Sequence, residues 1–348
     1  MPVFSEGLLR NWTGQLFLAA GATAQESIIV ANALVEANLA GHDSHGILRV
    51  PEYVRWMEQK LVNVGAKIRI VRQSDSFAVV DGDWGFGQVV GRQAMDIGIE
   101  KAMVAGVGTV AISQCCHIGR VGDYPMMAAA KGLAALMFVN THGGGKLVAP
   151  FGGRERRLSA NPIAVAIPRR NGTPIVVDIS TSSIAEGKVR SMLNRNAPVP
   201  TGCIIDAQGN ATTDAKKFYG PPVGALLPFG GHKGFALGLV ADILAGAISG
   251  GGCSRKEADR VGNTFLAFVV DIERLRGREL FDSDVEQLVE YVKSSALAEG
   301  FNEILVPGEP EENERNRRLR NGIAIDSETW NQIVQVGKKY GVAEPSEL

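Results

Sequence analysis

All five histidines of the chain stand in glycine-rich turns: His42 and His45 in AGHDSHGILRVPEYV, His117 in CCHIGRVGDYP, His142 in NTHGGGKLVAP and His232 in FGGHKG. Histidine is the side chain whose unperturbed pKa permits proton transfer near neutrality, and glycine turns let backbone come close to a ligand, so the distribution reads as a site for proton chemistry. In DSHG, Asp43 and Ser44 stand beside His45 and either could orient its ring, while Arg49 and Tyr53 follow at spacings that share a helical face. The planar fork of arginine donates two parallel hydrogen bonds to a carboxylate, so a proton-transfer group and a carboxylate clamp fall within five residues. Alternatively, Asp43 or Ser44 caps a helix beginning near His45 and leaves Arg49 solvated. The HxxH spacing of His42 and His45 lacks the glutamate of the metalloprotease motif and has no cysteine support, so no metal site is expected.

Two further segments suit an anionic cofactor. FGGHKGFALGLVADILAG reads as a glycine turn entering a long helix, which gathers unpaired N–H groups, the positive helix end and Lys233 at one place. DISTSSIAEGK follows the apolar run PIVV, so Asp178 stands at a strand end where a ribose hydroxyl could bind, with Ser and Thr as donors nearby. A third segment, FAVVDGDWGFGQVVGRQAM, offers GxGxxxG between a strand and a helix, the outline of a dinucleotide fingerprint. Its spacing is only approximate, Asp83 and Trp84 crowd the turn, and no clear acidic residue ends a second strand about twenty residues on, so a Rossmann fold is not expected.

The elements that must position these residues follow from periodicity. From Ser5 to about Leu39 apolar residues recur at helical spacing, so the N-terminus is helical; Pro51 interrupts a second helical segment. From Lys67 the text changes to short β-branched runs, IRIV (68–71), FAVV (77–80), VGTVAI (107–112), ALMFV (135–139) and PIVVDI (174–179), with a helix over Gln88 to Ala105. A long apolar helix at about 233–249, a strand at 264–272, a helix over 283–298 and a polar helical C-terminus complete the chain. The expected boundaries lie near 72 and 280.

The 348 residues suffice for two lobes around a large core, and the 45% apolar and 21% charged residues are ordinary for a globular enzyme. With 36 Lys and Arg against 37 Asp and Glu, a net charge of −1 gives no reason to expect nucleic acid or an anionic membrane as partner. The four cysteines form no CxxC pair and read as reduced thiols, and the first residues lack a basic start followed by a sustained apolar run, so a cytoplasmic protein is expected.

Taken together, NLAGHDSHGILRVPEYV, DGDWGFGQVVGRQAM, HIGRVGDY, VAPFGGRERRLSANPIAVAIPR, VVDISTSSIAEGK, IDAQGNATTD, FGGHKGFAL, AISGG and VPGEPE followed by GIAID resemble the malate/L-lactate dehydrogenase family over nearly the whole chain. The likeness is strongest to its bacterial hydroxycarboxylate dehydrogenases. The resemblance implies an α/β protein with a non-Rossmann NAD(P)-binding fold of the sulfolactate dehydrogenase-like type. In it a helical domain built from both chain ends (1–72 plus about 280–348) flanks an α/β cofactor domain (about 73–279), and the protein is commonly a homodimer. It implies an oxidoreductase that interconverts 2-oxo and 2-hydroxy acids with NAD, or NADP as the alternative. By motif, His45 resembles the acid that protonates the carbonyl, with Ser44 as its relay partner and His117 as the alternative acid. Arg49, with Tyr53, resembles the substrate carboxylate site. The cofactor contacts implied are His117, Ile118, Gly119, Arg120, Val121, Ser159, Val176, Val177, Asp178, Ile179, Ser180, Thr181, Ser182, His232, Lys233, Gly308, Glu309 and Pro310. A third relay acid is not placed, Asp43 and Glu186 being candidates. His142 and Lys146, in THGGGK where the family is less polar, either alter substrate choice or form a surface loop. The competing readings are a reductase of cyclic imino acids such as Δ1-piperideine-2-carboxylate, a metal-dependent hydrolase using His42, His45 and His117, and a ligand-binding protein without catalysis.

Overall fold

The computed structural model of the protein describes residues 1–258 and 260–346. Strand β1 (Val3–Phe4) leads into α1 (Glu6–Ala19), started by the Ser5 hydroxyl, which accepts from the Leu8 N–H. Gly21, at φ 104°, turns the chain into α2 (Ala24–Leu39), opened by a capping box in which Thr23 and Glu26 each accept the other's backbone N–H. Two short 3-10 turns over 43–49 replace the continuous helix that the DSHG region suggested, and α3 (Val50–Glu58) carries Pro51 in its first turn, where a missing N–H costs nothing.

The middle of the chain supplies β2 (Arg69–Gln73), β3 (Phe77–Asp81), α4 (Gly87–Ala105), β4 (Val107–Cys115), α5 (Asp123–Ala129), β5 (Leu133–Asn140), β6 (Ile163–Ile167) and β7 (Ile175–Ile179). Then come α6 (Glu186–Asn194), β8 (Ile204–Ile205), β9 (Ala211–Thr212), α7 (Ala215–Tyr219), β10 (Ala225–Leu226), α8 (His232–Asp242), which runs on into a π-helical turn at Ile243–Ala247, and β11 (Asn263–Asp271). The chain ends in α9 (Ile272–Arg276), α10 (Arg278–Lys293), α11 (Glu309–Asn321), β12 (Ile323–Ala324) and α12 (Ser327–Lys339).

Seven strands make the main sheet in the order β2-β3-β4-β11-β5-β6-β7, and only β3 and β4 run parallel. A Rossmann sheet needs successive parallel βαβ units, and this order excludes it. The segment that mimicked a dinucleotide fingerprint has another use: a methyl on Gly87 would overlap the carbonyls of Cys116 and His117, so glycine there lets α4 start against the strand-end loop that carries His117.

Separate cores hold the parts. Phe4, Leu9, Trp12, Phe17, Leu34 and Tyr53 pack with Ile323, Trp330 and Ile333, so both chain ends share one apolar cluster, which also takes in Phe86, Val89 and Cys116. A second cluster fills the sheet beneath α4 and α5, with Met95, Val110, Met137 and Phe265 at its centre. A third, around Val189, Ile204, Phe218 and Leu226, joins α6 and α7 to the small sheet β10-β8-β9. Helix α10 sends its polar residues to the main sheet: Glu286 pairs with Arg169 at 2.9 Å and Asp282 with Arg170 at 3.5 Å, just beyond β6.

Candidate active site

The turn that carries His45 is built on a buried amide. Asn38, in the last turn of α2 and 2% exposed, accepts the Ile47 N–H at 2.9 Å and donates to Asp43 at 2.5 Å. A methyl on Gly46 would overlap the Asn38 side chain, so the glycine of DSHG is what admits this clamp. Arg318 of α11 adds two bonds to the Asp43 carboxylate, at 2.5 and 2.9 Å. Asp43 is thereby committed to Asn38 and Arg318, and the expectation that it might relay to His45 is corrected. Ser44 stands beside the imidazole: its Oγ lies 3.0 Å from His45 Nδ1. Arg49 Nε donates to the Ser44 carbonyl at 2.8 Å and its NH1 to Glu52 at 2.7 Å, which ties the guanidinium to the same turn.

His117 arrives from the end of β4. Its ring stacks on that of His45, with centroids 5.5 Å apart and planes 9° from parallel, and both residues are half-buried. Tyr53 of α3 stands behind His117, 1% exposed, with its hydroxyl 2.6 Å from His117 Nδ1 and accepting from Gln88 Nε2 at 2.8 Å. The expected substrate contact of Tyr53 is thereby corrected: the hydroxyl is buried and already engaged on both sides. Burial pushes His45 from its ordinary 6.5 down to about 3, helped by the charges of Arg49, His42 and Arg120. His117 is lowered well below 6.5 by burial, then by Arg49 and His45. Both imidazoles are neutral at pH 7.

Facing Ser44 is the start of α6: a methyl on Gly187 would come 3.1 Å from Ser44 Cβ. Its neighbour Glu186 bonds Arg190 at 2.8 Å and Tyr219 at 2.7 Å, so its carboxylate is engaged within the small lobe and not with His45.

The expected cofactor residues gather along β7 and the loop beside it. Asp178 accepts the Gly122 N–H at 2.8 Å, which joins β7 to the loop of Ile118, Gly119, Arg120 and Val121. That bond, with Arg120 Nε 3.9 Å from the same oxygen, gives Asp178 a structural part in clamping the loop through Oδ2. The Val176 N–H donates to the Pro307 carbonyl at 3.0 Å, and Gly308 packs so tightly on β7 that a methyl would come 2.7 Å from the Pro174 carbonyl. Arg120, Val176 and Gly308 line one cavity of about 520 Å³ together with Glu36, Arg92, Asp123, Glu311, Glu312 and Arg315. Val177 lies between Val176 and Asp178 on β7, and Pro310 follows Glu309 in the first turn of α11. Glu309 itself faces Lys293 at 2.7 Å and the Val306 N–H at 3.0 Å, an anchor for its own loop.

Beyond Ile179, which is 43% exposed, Ser180 and Ser182 bond each other at 2.9 Å, and Thr181 bonds the carbonyl of Ala160, next to the buried Ser159. The Phe229 N–H donates to the Thr181 carbonyl at 3.1 Å, which places the turn before His232 and Lys233 at this end of β7. The N–H groups of Lys233 and Gly234 are taken by the carbonyls of Gly230 at 3.4 Å and Phe229 at 2.9 Å. The expectation of unpaired N–H groups there is therefore corrected in favour of the exposed side chains of His232 and Lys233.

His42 turns to Glu311, 3.7 Å away, and among the described residues no three His, Cys, Asp or Glu side chains group as a metal site requires. Lys146 donates to the carbonyls of Arg255 and Lys256, and His142 packs on Trp84 with centroids 4.9 Å apart. Both hold the THGGGK loop to its neighbours. Asn38, Gln88 and Gly187 were not singled out by sequence reasoning; the glycines beside the first two, in DSHG and GFGQ, were the available signal.

The sequence matches the Malate/L-lactate dehydrogenase family over residues 4–334. It is 38% identical over 346 residues to hydroxycarboxylate dehydrogenase B of Escherichia coli O157:H7, covering 98% of this chain and 95% of that protein. To the L-lactate dehydrogenase of Cupriavidus necator it is 39% identical over 321 residues, covering 91% and 92%. The solved structure of sulfolactate dehydrogenase from Methanocaldococcus jannaschii superposes with a TM-score of 0.87 at 35% identity, covering 98% of each chain. The chain belongs to the malate/L-lactate dehydrogenase family, oxidoreductases that interconvert 2-oxo and 2-hydroxy acids.

Proposed function

We propose that the cleft of His45, His117 and Arg49 reduces 2-oxo acids and oxidises 2-hydroxy acids such as malate, lactate or related hydroxycarboxylates. The observation that carries this reading is the stacking of the His117 ring on that of His45, whose turn also holds Arg49. The guanidinium has five N–H donors, of which Ser44 and Glu52 take two, so it can receive a substrate carboxylate. His45 exchanges the proton at the substrate oxygen, with Ser44 holding its ring through Nδ1.

Being neutral, His45 is ready as the base for hydroxy acid oxidation. In the reductive direction the substrate carboxylate offsets the charge of Arg49, one of the causes that hold His45 low, so proton and anion bind together.

A nicotinamide cofactor fits the residues along β7. The cavity of about 520 Å³ lies against Arg120, whose Nε is buried without a hydrogen-bond partner. Arg120, Val176 and Gly308 would hold one end of the dinucleotide, and Ser180, Thr181, Ser182, His232 and Lys233 the other. When bound, the nicotinamide supplies or accepts the hydride. We propose NAD over NADP, because Glu36, Asp123, Glu311 and Glu312 outnumber Arg92, Arg120 and Arg315 around the cavity and disfavour a further phosphate.

The helical domain of 1–72 and about 280–348 would then bring the proton donor to the cofactor domain of about 73–279; the shared core of both chain ends supports this division, with α10 the element whose ion pairs reach across it. We further propose a homodimer, supported by the outward apolar face of α8 and its continuation, where Leu237, Val240, Ile243 and Ile248 are exposed. A cytoplasmic location agrees with four free cysteines.

The test is loss of reduced-nicotinamide absorbance when purified protein meets NADH or NADPH with a panel of 2-oxo acids and cyclic imino acids. Consumption with linear 2-oxo acids and NADH supports the reading. Consumption with cyclic imino acids alone replaces it by the imino acid reductase, and cofactor binding without any turnover by a binding protein.

A further inference from the structure

Gln88 has no place in the mechanism above, yet it is 1% exposed and points its amide at the back of the site. Its Nε2 donates to the Tyr53 hydroxyl at 2.8 Å, and that hydroxyl lies 2.6 Å from His117 Nδ1. A phenol carries one proton. Once its oxygen accepts from Gln88, that proton is left for His117, and Nδ1 must receive it as an acceptor.

The reverse arrangement, with Gln88 Oε1 facing Tyr53, would bury an amide NH2 in the place where Oε1 now lies without a partner. A buried carbonyl tolerates missing bonds better than a buried donor does. The packing leaves little freedom to relax: Gly119, at φ 76°, lies so close that a methyl on it would come 3.1 Å from Gln88 Nε2.

We propose that Gln88 and Tyr53 are positioning residues that fix His117 as the tautomer protonated on Nε2, making it a hydrogen-bond donor to the substrate oxygen while the neighbouring His45 exchanges the proton. This rests on the reading of the cleft as a 2-oxo acid site. A neutral donor polarises a carbonyl without giving up its proton, and in the oxidative direction it steadies the negative charge that grows on the same oxygen. The low basicity of His117 suits a donor that stays neutral. Two stacked histidines thereby take two roles, one moving a proton and one holding still.

The experiment is nitrogen-15 NMR of the histidine rings in the full chain at pH 8, with the His117 signals assigned through His117→Gln. The wild type is expected to show Nε2 protonated and Nδ1 bare. In Gln88→Glu, read at a pH where the side chain is ionised, the carboxylate can only accept, so Tyr53 turns its proton away from His117 and the His117 proton moves to Nδ1. In Tyr53→Phe, which keeps the ring and its packing, the preference is lost and both tautomers appear. Turnover of Gln88→Glu is expected to fall about 100-fold in kcat, with KM and NADH affinity little changed. A wild-type His117 protonated on Nδ1, a tautomer unchanged in both variants, or an inverted tautomer with undiminished kcat would each overturn the proposal. The ring spectra are read without substrate, so a chain that shows the expected tautomer but reduces no 2-oxo acid would refute the proposed function and leave the tautomer assignment standing.

Discussion

Two glycine-rich helix entrances, DWGFGQ before α4 and FGGHKG before α8, look alike in sequence and are used in opposite ways. At the first, Gly87 faces the carbonyls of Cys116 and His117, so the helix start packs on the loop that carries His117. At the second, Gly230 and Gly231 adopt φ of 56° and 63°, and the side chains of His232 and Lys233 stay exposed. The first positions a histidine and the second offers a cation. What a glycine turn does is decided by what stands opposite it, and that partner lies far away along the chain.

The contrast can be broken most forcefully at Gly87. In Gly87→Ala the methyl meets fixed carbonyls, so we expect a loss of about 1–3 kcal/mol in denaturant unfolding together with displacement of His117 and a fall in kcat of about 100-fold or more. Gly230→Ala, whose nearest neighbour is Lys233 Cβ at 3.8 Å, should lose only about 1–2 kcal/mol of backbone strain energy and keep its turnover. Equal effects of the two substitutions would erase the distinction.

Acid sharpens the same comparison. The folded His45 holds its proton only below about 3, whereas the unfolded residue titrates near 6.5, so between those values the unfolded state binds the extra proton. Stability is therefore complete above about 6.5 and falls as the pH drops toward about 3. Melting temperatures measured across this range should decline, and less so in His45→Gln. A smaller effect is expected from Lys233→Ala, which removes one charge-assisted bond: about a tenfold weaker NADH affinity by fluorescence titration, with kcat retained.

The strands show how much of the fold is written locally. IRIV, FAVV, VGTVAI, ALMFV, PIVVDI and TFLAFVVDI became β2, β3, β4, β5, β7 and β11 to within a few residues; the inner strands need apolar, β-branched runs, and β2 is an exposed edge strand. Strand β6, Ile163–Ile167, escaped notice: Pro162 and Pro168 flank it, and proline argues against a strand. The helix expected over 283–298 ends at Lys293.

Within the site, the structure brings together His45, Ser44, Arg49 and His117, which the sequence groups because a histidine and an arginine within five residues suit proton transfer and a carboxylate. The structural partners of Asp178 and Asp43 were hidden for one reason: a carboxylate's partner, Gly122 or Arg318, cannot be read from its neighbours in sequence. Asn38 and Gln88 stayed hidden because an amide inside a helix looks the same whether it faces solvent or a buried turn.

The central claim is that His45 exchanges the proton, and His45→Ala tests it most directly. Reductive turnover of a 2-oxo acid by this variant is expected to fall by about 100- to 10,000-fold while NADH affinity stays as in the wild type. Turnover at the wild-type rate would contradict the account and move the proton to His117.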